Sequence, residues 1–138
     1  MNKESKIFVS EEYSTSKRVI FKLIRNGTFF NLTGADAVAF DFKKNGSFRL
    51  DFKGRGTIFG TFEEIIPDTR ISLNWNVNGF GRDEEVNTKV VISIFKLDDG
   101  TVVEINHAGI RNKVSANAKH RAWTEIVREL KKELPLVV

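Results

Sequence analysis

The chain has 138 residues, twelve of them phenylalanine, no cysteine, and a net charge of +4. This length fits one domain with one core over residues 1–138, and the missing thiol excludes disulfides, thiolate zinc sites and a cysteine nucleophile. The basic excess is small and interleaved with acids, unlike the clustered basic face that nucleic-acid binding requires.

The opening run MNKESKIFVSEEYS has no long apolar stretch and is not read as a secretory leader. No later run is long enough to span a bilayer. A cytoplasmic location is expected, with the sequons at Asn26, Asn31 and Asn45 unused. Lys6 to Tyr13 alternates as a strand. STSKRVIFKLIRNG then reads as a helix with Ser14 as N-cap, because a hydroxyl there can accept from an unpaired first-turn N–H. Val19 with Leu23, and Ile20 with Ile24, stack at helical spacing. Gly27 supplies the stop, and TFFNLTGA reads as a second short helix or turn.

A series of alternating runs follows. Val38, Phe40 and Phe42 share a face, Asn45-Gly46 signals a hairpin, and Phe48, Leu50 and Phe52 share a face of the next strand. KGRG breaks that strand, Ile58 to Ile66 forms another, and Pro67-Asp68 turns the chain. Ile71, Leu73 and Trp75 mark the inward face of the strand after it. NGFGRDEE reads as a loop, Val86 to Leu97 as a long strand, Asp98-Asp99-Gly100 as a turn, and Thr101 to His107 as the last strand. The glycine pairs Gly54-x-Gly56 and Gly79-x-Gly81 lack the strand-to-helix context of a phosphate loop and read as turns or bulges. A final helix begins near Ser115, carries Ala122, Trp123, Ile126, Val127, Leu130 and Leu134 as an apolar stripe, and ends at Pro135.

This order predicts an α+β fold. A curved antiparallel sheet of about seven strands grips one long C-terminal helix, with two short helices after the first strand.

Several stretches also resemble a known family. GTFEEIIPDTRISLNW, DDGTVVEINHAGI and AWTEIVRELKKEL are similar to motifs of the activator of heat shock protein 90 ATPase homologue-like family, within the START-like, birch-pollen-allergen-like (SRPBCC) superfamily of helix-grip folds. STSKRVIFKLI and KKNGSFRLDF resemble its first helix and glycine hairpin, so the likeness runs from Lys6 to Leu134. Two positions depart from the family's habit: Leu32 or a neighbour stands where a tryptophan is usual, and Ala122 where a glycine often precedes the last-helix tryptophan. The resemblance implies an apolar cavity between sheet and helix. It also brings in relatives that bind lipids, hormones or polyketides, a few that are enzymes, and chaperone activators.

The inward faces supply candidate walls for such a cavity: Phe40, Phe42, Phe48, Phe52, Phe62, Leu73, Trp75, Ile105, Trp123 and Val127, with His107 as the polar contact. Plain core packing is the competing reading for the tryptophans, and a hydrogen-bonded histidine at the end of a core strand is the competing reading for His107. As a general base His107 would need a positioned carboxylate. Alternation turns Asp41, Asp51 and Glu104 away from it. His107 and His120 lie on different elements and match no metal-ligand spacing, so neither metal nor cofactor is expected. The expected function is non-catalytic binding of a small hydrophobic or amphipathic molecule or lipid. A chaperone-binding domain and a cyclase- or hydrolase-type enzyme using His107 are the alternatives.

Overall fold

The computed structural model describes residues 4–81 and 84–134. In chain order these form β1 (Ser5–Tyr13), α1 (Lys17–Arg25), α2 (Thr28–Asn31), β2 (Ala37–Phe40), β3 (Ser47–Phe52), β4 (Gly56–Ile66), β5 (Arg70–Gly79), β6 (Glu85–Leu97), β7 (Gly100–Ile110) and α3 (Lys113–Leu130). A short 3-10 turn, Lys131–Glu133, follows. All seven strands join one sheet in the order β1-β7-β6-β5-β4-β3-β2, every pair antiparallel. The chain runs down the sheet as a meander from β2 to β7, and β1 closes onto β7. The expected helix-grip architecture is thus present, with α3 laid against β1 and β7 and α1 against β6.

Local chemistry moves several boundaries. The cap of α1 is Ser16, not Ser14: its Oγ accepts from the Val19 N–H at 3.3 Å. Helix α3, expected to begin near Ser115, begins at Lys113, and Asn112 caps it by accepting from the Val114 and Ser115 N–H groups. Strand β2 stops at Phe40, so Phe42 reaches the core from the loop that follows, packing edge-on against Phe21 and Phe62. In that loop Asn45 takes φ 66°, and a Cβ on Gly46 would fall 2.0 Å from the Asp41 carbonyl oxygen. The hairpin signal therefore marks a wider, six-residue connection rather than a two-residue turn. Pro135, expected to end the last helix, lies outside the described residues.

Three bulges set which side chains face inward. In β7 the pairing slips at Gly109, whose φ of 85° suits a glycine-led bulge. The strand therefore continues past His107 to Ile110, and both residues are buried. In β6 the slip falls at Asn87, φ 59°, whose N–H donates to Asn76 Oδ1 at 2.8 Å. That extra residue turns Glu85 inward and leaves Val86 56 % exposed. In β4 the extra residue is Glu63, next to buried Phe62.

The helix stripe buries Trp123, Ile126, Val127 and Leu130, each contributing about 1.5–3 kcal/mol of apolar burial before entropy is counted. Ala122, expected on that stripe, is exposed, and Leu134 is only half-buried. Both ends of α3 are tied to the sheet. At the start, the buried Glu85 carboxylate of β6 accepts from the Arg111 and Asn112 N–H groups at 3.1–3.3 Å. At the end, the Lys131 N–H bonds to the Arg128 and Glu129 carbonyls. The Val127 carbonyl instead accepts the Tyr13 hydroxyl of β1 at 2.6 Å. Lys131 adds an ion pair to Glu11 at 2.9 Å.

Candidate ligand cavity

Trp75 on β5 and Trp123 on α3 meet across the gap between sheet and helix, ring centroids 5.1 Å apart and tilted by 50°. Their polar edges belong to one buried chain of hydrogen bonds. The Trp123 indole N–H donates to His107 Nδ1 at 3.1 Å. His107 Nε2 lies 2.9 Å from Thr88 Oγ1, and the Thr88 hydroxyl donates to the Trp75 carbonyl. Indole can only donate, which makes Nδ1 an acceptor and puts the ring proton on Nε2. Every link then runs in one direction, from Trp123 through His107 and Thr88 to the Trp75 backbone. His107 is fully buried, and both of its ring nitrogens are engaged with protein groups.

Beside this pair opens a cavity of about 220 Å³, bounded by Phe52, Ile58, Val77 and Phe80 from the sheet and its turns, and by Trp123 and Ile126 from the helix. Thr33, Arg55, Ala118, Lys119 and Ala122 complete its lining. Arg55, Ala118 and Ala122 are exposed, so these residues form the mouth. The volume is below the roughly 300–1,000 Å³ of drug-sized sites but above the roughly 150 Å³ that accommodates benzene in an engineered apolar cavity. One- or two-ring compounds match that size.

The sequence-predicted wall residues divide into two groups. Phe52, Trp75 and Trp123 line the cavity. Phe48, Phe62, Leu73, Ile105, His107 and Val127 are buried in the core around it, while Phe40 and Phe42 pack, half-buried, on the side of α1 and α2. Phe30 explains much of this: its ring sits 5.4–6.1 Å from those of Phe40, Phe48 and Phe62, filling the space these walls would otherwise enclose. His120 is exposed on the outer face of α3.

Arg55, Phe80, Ala118 and Lys119 were missed because the mouth is built from turns and a helix edge. The glycines of KGRG and NGFG make the approach. A Cβ on Gly56 would lie 2.4 Å from the Asn78 carbonyl oxygen, and one on Gly79 2.7 Å from that of Arg55. Drawn together, the two turns are joined by the Phe80 N–H donating to the Arg55 carbonyl at 2.7 Å. Phe80 itself takes φ 58° between Gly79 and Gly81, both left-handed as well. Its ring lies edge-on to Phe52 at 5.1 Å, with the Arg55 guanidinium 5.2 Å above it. Repeated paired glycines on either side of a hairpin strand pair were the available signal.

Elsewhere, the Arg49 guanidinium, hydrogen-bonded to Asp51, and the Thr57 hydroxyl hold the Asp51 carboxyl below its usual range. Burial, with help from Glu11, pushes the Tyr13 phenol well above its own. Neither residue lines the cavity. Among the described residues no group of three or more His, Cys, Asp or Glu side chains could hold a metal ion, and no helix is long and apolar enough to cross a membrane.

The same architecture recurs in solved structures. Mll3558 from Rhizobium loti superposes with a TM-score of 0.80 at 20 % identity, covering 96 % of this chain and 98 % of that one. The Aha1 protein from Colwellia psychrerythraea, solved as a dimer, gives 0.74 at 14 % identity, with 94 % and 96 % covered. PFC0360w from Plasmodium falciparum, described as an HSP90 activator, gives 0.71 at 22 % identity, with 91 % and 93 % covered. No curated protein matches the sequence. Residues 17–135 match the model of the family described as activator of Hsp90 ATPase homolog 1-like protein, and the chain belongs to that family.

Proposed function

We propose that this protein binds a small, largely apolar molecule, without transforming it, in the cavity between the sheet and α3. The observation that carries the reading is the aromatic gap bounded by Trp75, Trp123, Phe52 and Phe80 and open at Ala122. A filled core would leave no such space, and interiors otherwise pack densely. The one-way hydrogen-bond chain supports a non-catalytic role. His107 spends both nitrogens on orienting Trp123 and engaging Thr88, so it acts as a positioning residue for the cavity wall.

Both tryptophans of the sequence are cavity residues, so their emission is a direct reporter. Titration with a panel of one- and two-ring compounds should shift or quench it saturably. The response should vanish in Ala122→Leu, which plugs the mouth. A flat response across neutral and charged members of the panel would refute the reading.

A second reading, chaperone contact, is favoured by the family itself and by the likeness to an HSP90 activator. It predicts co-migration with a purified chaperone of that class and a faster ATPase rate. An unchanged rate at saturating protein would remove it.

A further inference from the structure

We infer that the cavity selects anions: its ligand is a one- or two-ring carboxylate, or a compound with the same charge and shape, held ring-inward with the anionic group at the mouth. This inference rests on the cavity being a binding site. Its own basis is the distribution of charge around the lining.

Among the described residues the lining holds two ionisable side chains, Arg55 and Lys119, both cationic, and no carboxylate. They come from opposite walls, Arg55 from the β3–β4 turn and Lys119 from α3. The rest of the lining is apolar except the tryptophans and Thr33; the indole N–H of Trp123 is already committed to His107, and the Thr33 hydroxyl donates to the Phe30 carbonyl. A polar group on a ligand therefore finds its counter-charge only at the rim.

Arg55 is suited to this task. Its guanidinium stacks over Phe80 at 5.2 Å. A cation–π contact of this kind uses none of the N–H donors, the groups that grip a carboxylate with two parallel bonds. Among the described residues no carboxylate pairs with it. Phe80 in turn is fixed by its left-handed backbone between two glycines and by its contact with Phe52. The cation is thus held at the mouth before any ligand arrives. Lys119 hydrogen-bonds to Ser115 Oγ one helical turn back, which anchors its amine on the same rim.

Three probes of one shape decide the matter: 2-naphthoate, 2-naphthalenemethanol and 2-naphthylmethylammonium, each titrated calorimetrically into the full chain, into Arg55→Gln and into Arg55→Gln/Lys119→Gln. Naphthoate should bind about tenfold or more tighter than the alcohol, as expected when a hydrogen bond acquires full charge, and the ammonium weakest. The advantage should shrink with added salt and vanish in the double variant, where naphthoate should bind no tighter than the alcohol measured in that same variant. Equal binding of the three probes, or an anion preference that survives in the double variant, would overturn the inference and leave the cavity reading standing. Binding of none of the three would overturn both.

Discussion

From Val127 to Leu130 the last helix is sealed against the sheet, and the buried Val127 carbonyl is taken up by Tyr13. From Ala118 to Ala122, two turns earlier, the same helix presents small exposed residues to a cavity. The difference lies in side-chain size. Valine and leucine fill the gap to the sheet, whereas the alanines stop short of it and leave Trp123 and Ile126 to face the cavity. One helix thus serves as a packing element over one stretch and as a cavity wall over the other.

Substitutions along this axis should separate the two roles. Leu130→Ala, at a fully buried position, should have the largest effect, a loss of about 3 kcal/mol in urea unfolding. A cost near that of a surface change would mean that the C-terminal half is not packed as described. Thr88→Val removes the Thr88 hydroxyl that faces His107 Nε2 in a buried site and should cost about 1–3 kcal/mol. The tryptophan emission spectrum should change with it, because Trp123 loses its fixed partner. An unchanged spectrum and midpoint would show that the hydrogen-bond chain does not hold the wall.

Tyr13→Phe should cost about 1 kcal/mol near neutral pH. The phenol's pKa is raised in the folded state, so the neutral form is favoured there. Its contribution is fully present below the ordinary phenol value of about 10 and is lost as pH rises above it toward the folded value. The difference between wild type and Tyr13→Phe should therefore narrow above that pH. Because the chain has a single tyrosine, phenolate absorbance should appear only as the protein unfolds. Absorbance that develops while the fold is intact would contradict the burial. Ala122→Leu should have the smallest effect on stability, within about 0.5 kcal/mol, yet abolish ligand binding. A large stability loss there would place Ala122 in the packed half.

The strand alternation, the apolar stripe and the two facing tryptophans were legible in the sequence because regular elements repeat with a fixed period. The departures occur where the period breaks. Nothing in EVNTKVV reveals that Asn87 is an extra residue, so Glu85 turning inward could not be read. Nor could the bulge at Gly109 that carries β7 on to Ile110. Phe40 and Phe48 pack inward as expected, but Phe42 lies beyond the end of β2, and Phe30, from a helix too short to show a stripe, occupies the room between these rings. Arg55 and Phe80 lie in turns, where spacing says nothing of direction.

The two attachments of α3, the Glu85 carboxylate at one end and the Tyr13 hydroxyl at the other, make it a beam resting on two piers. A guest can then come and go through the side opening without lifting the beam. Its exchange should be much faster than deuterium uptake at the helix amides, since it requires no opening of the helix.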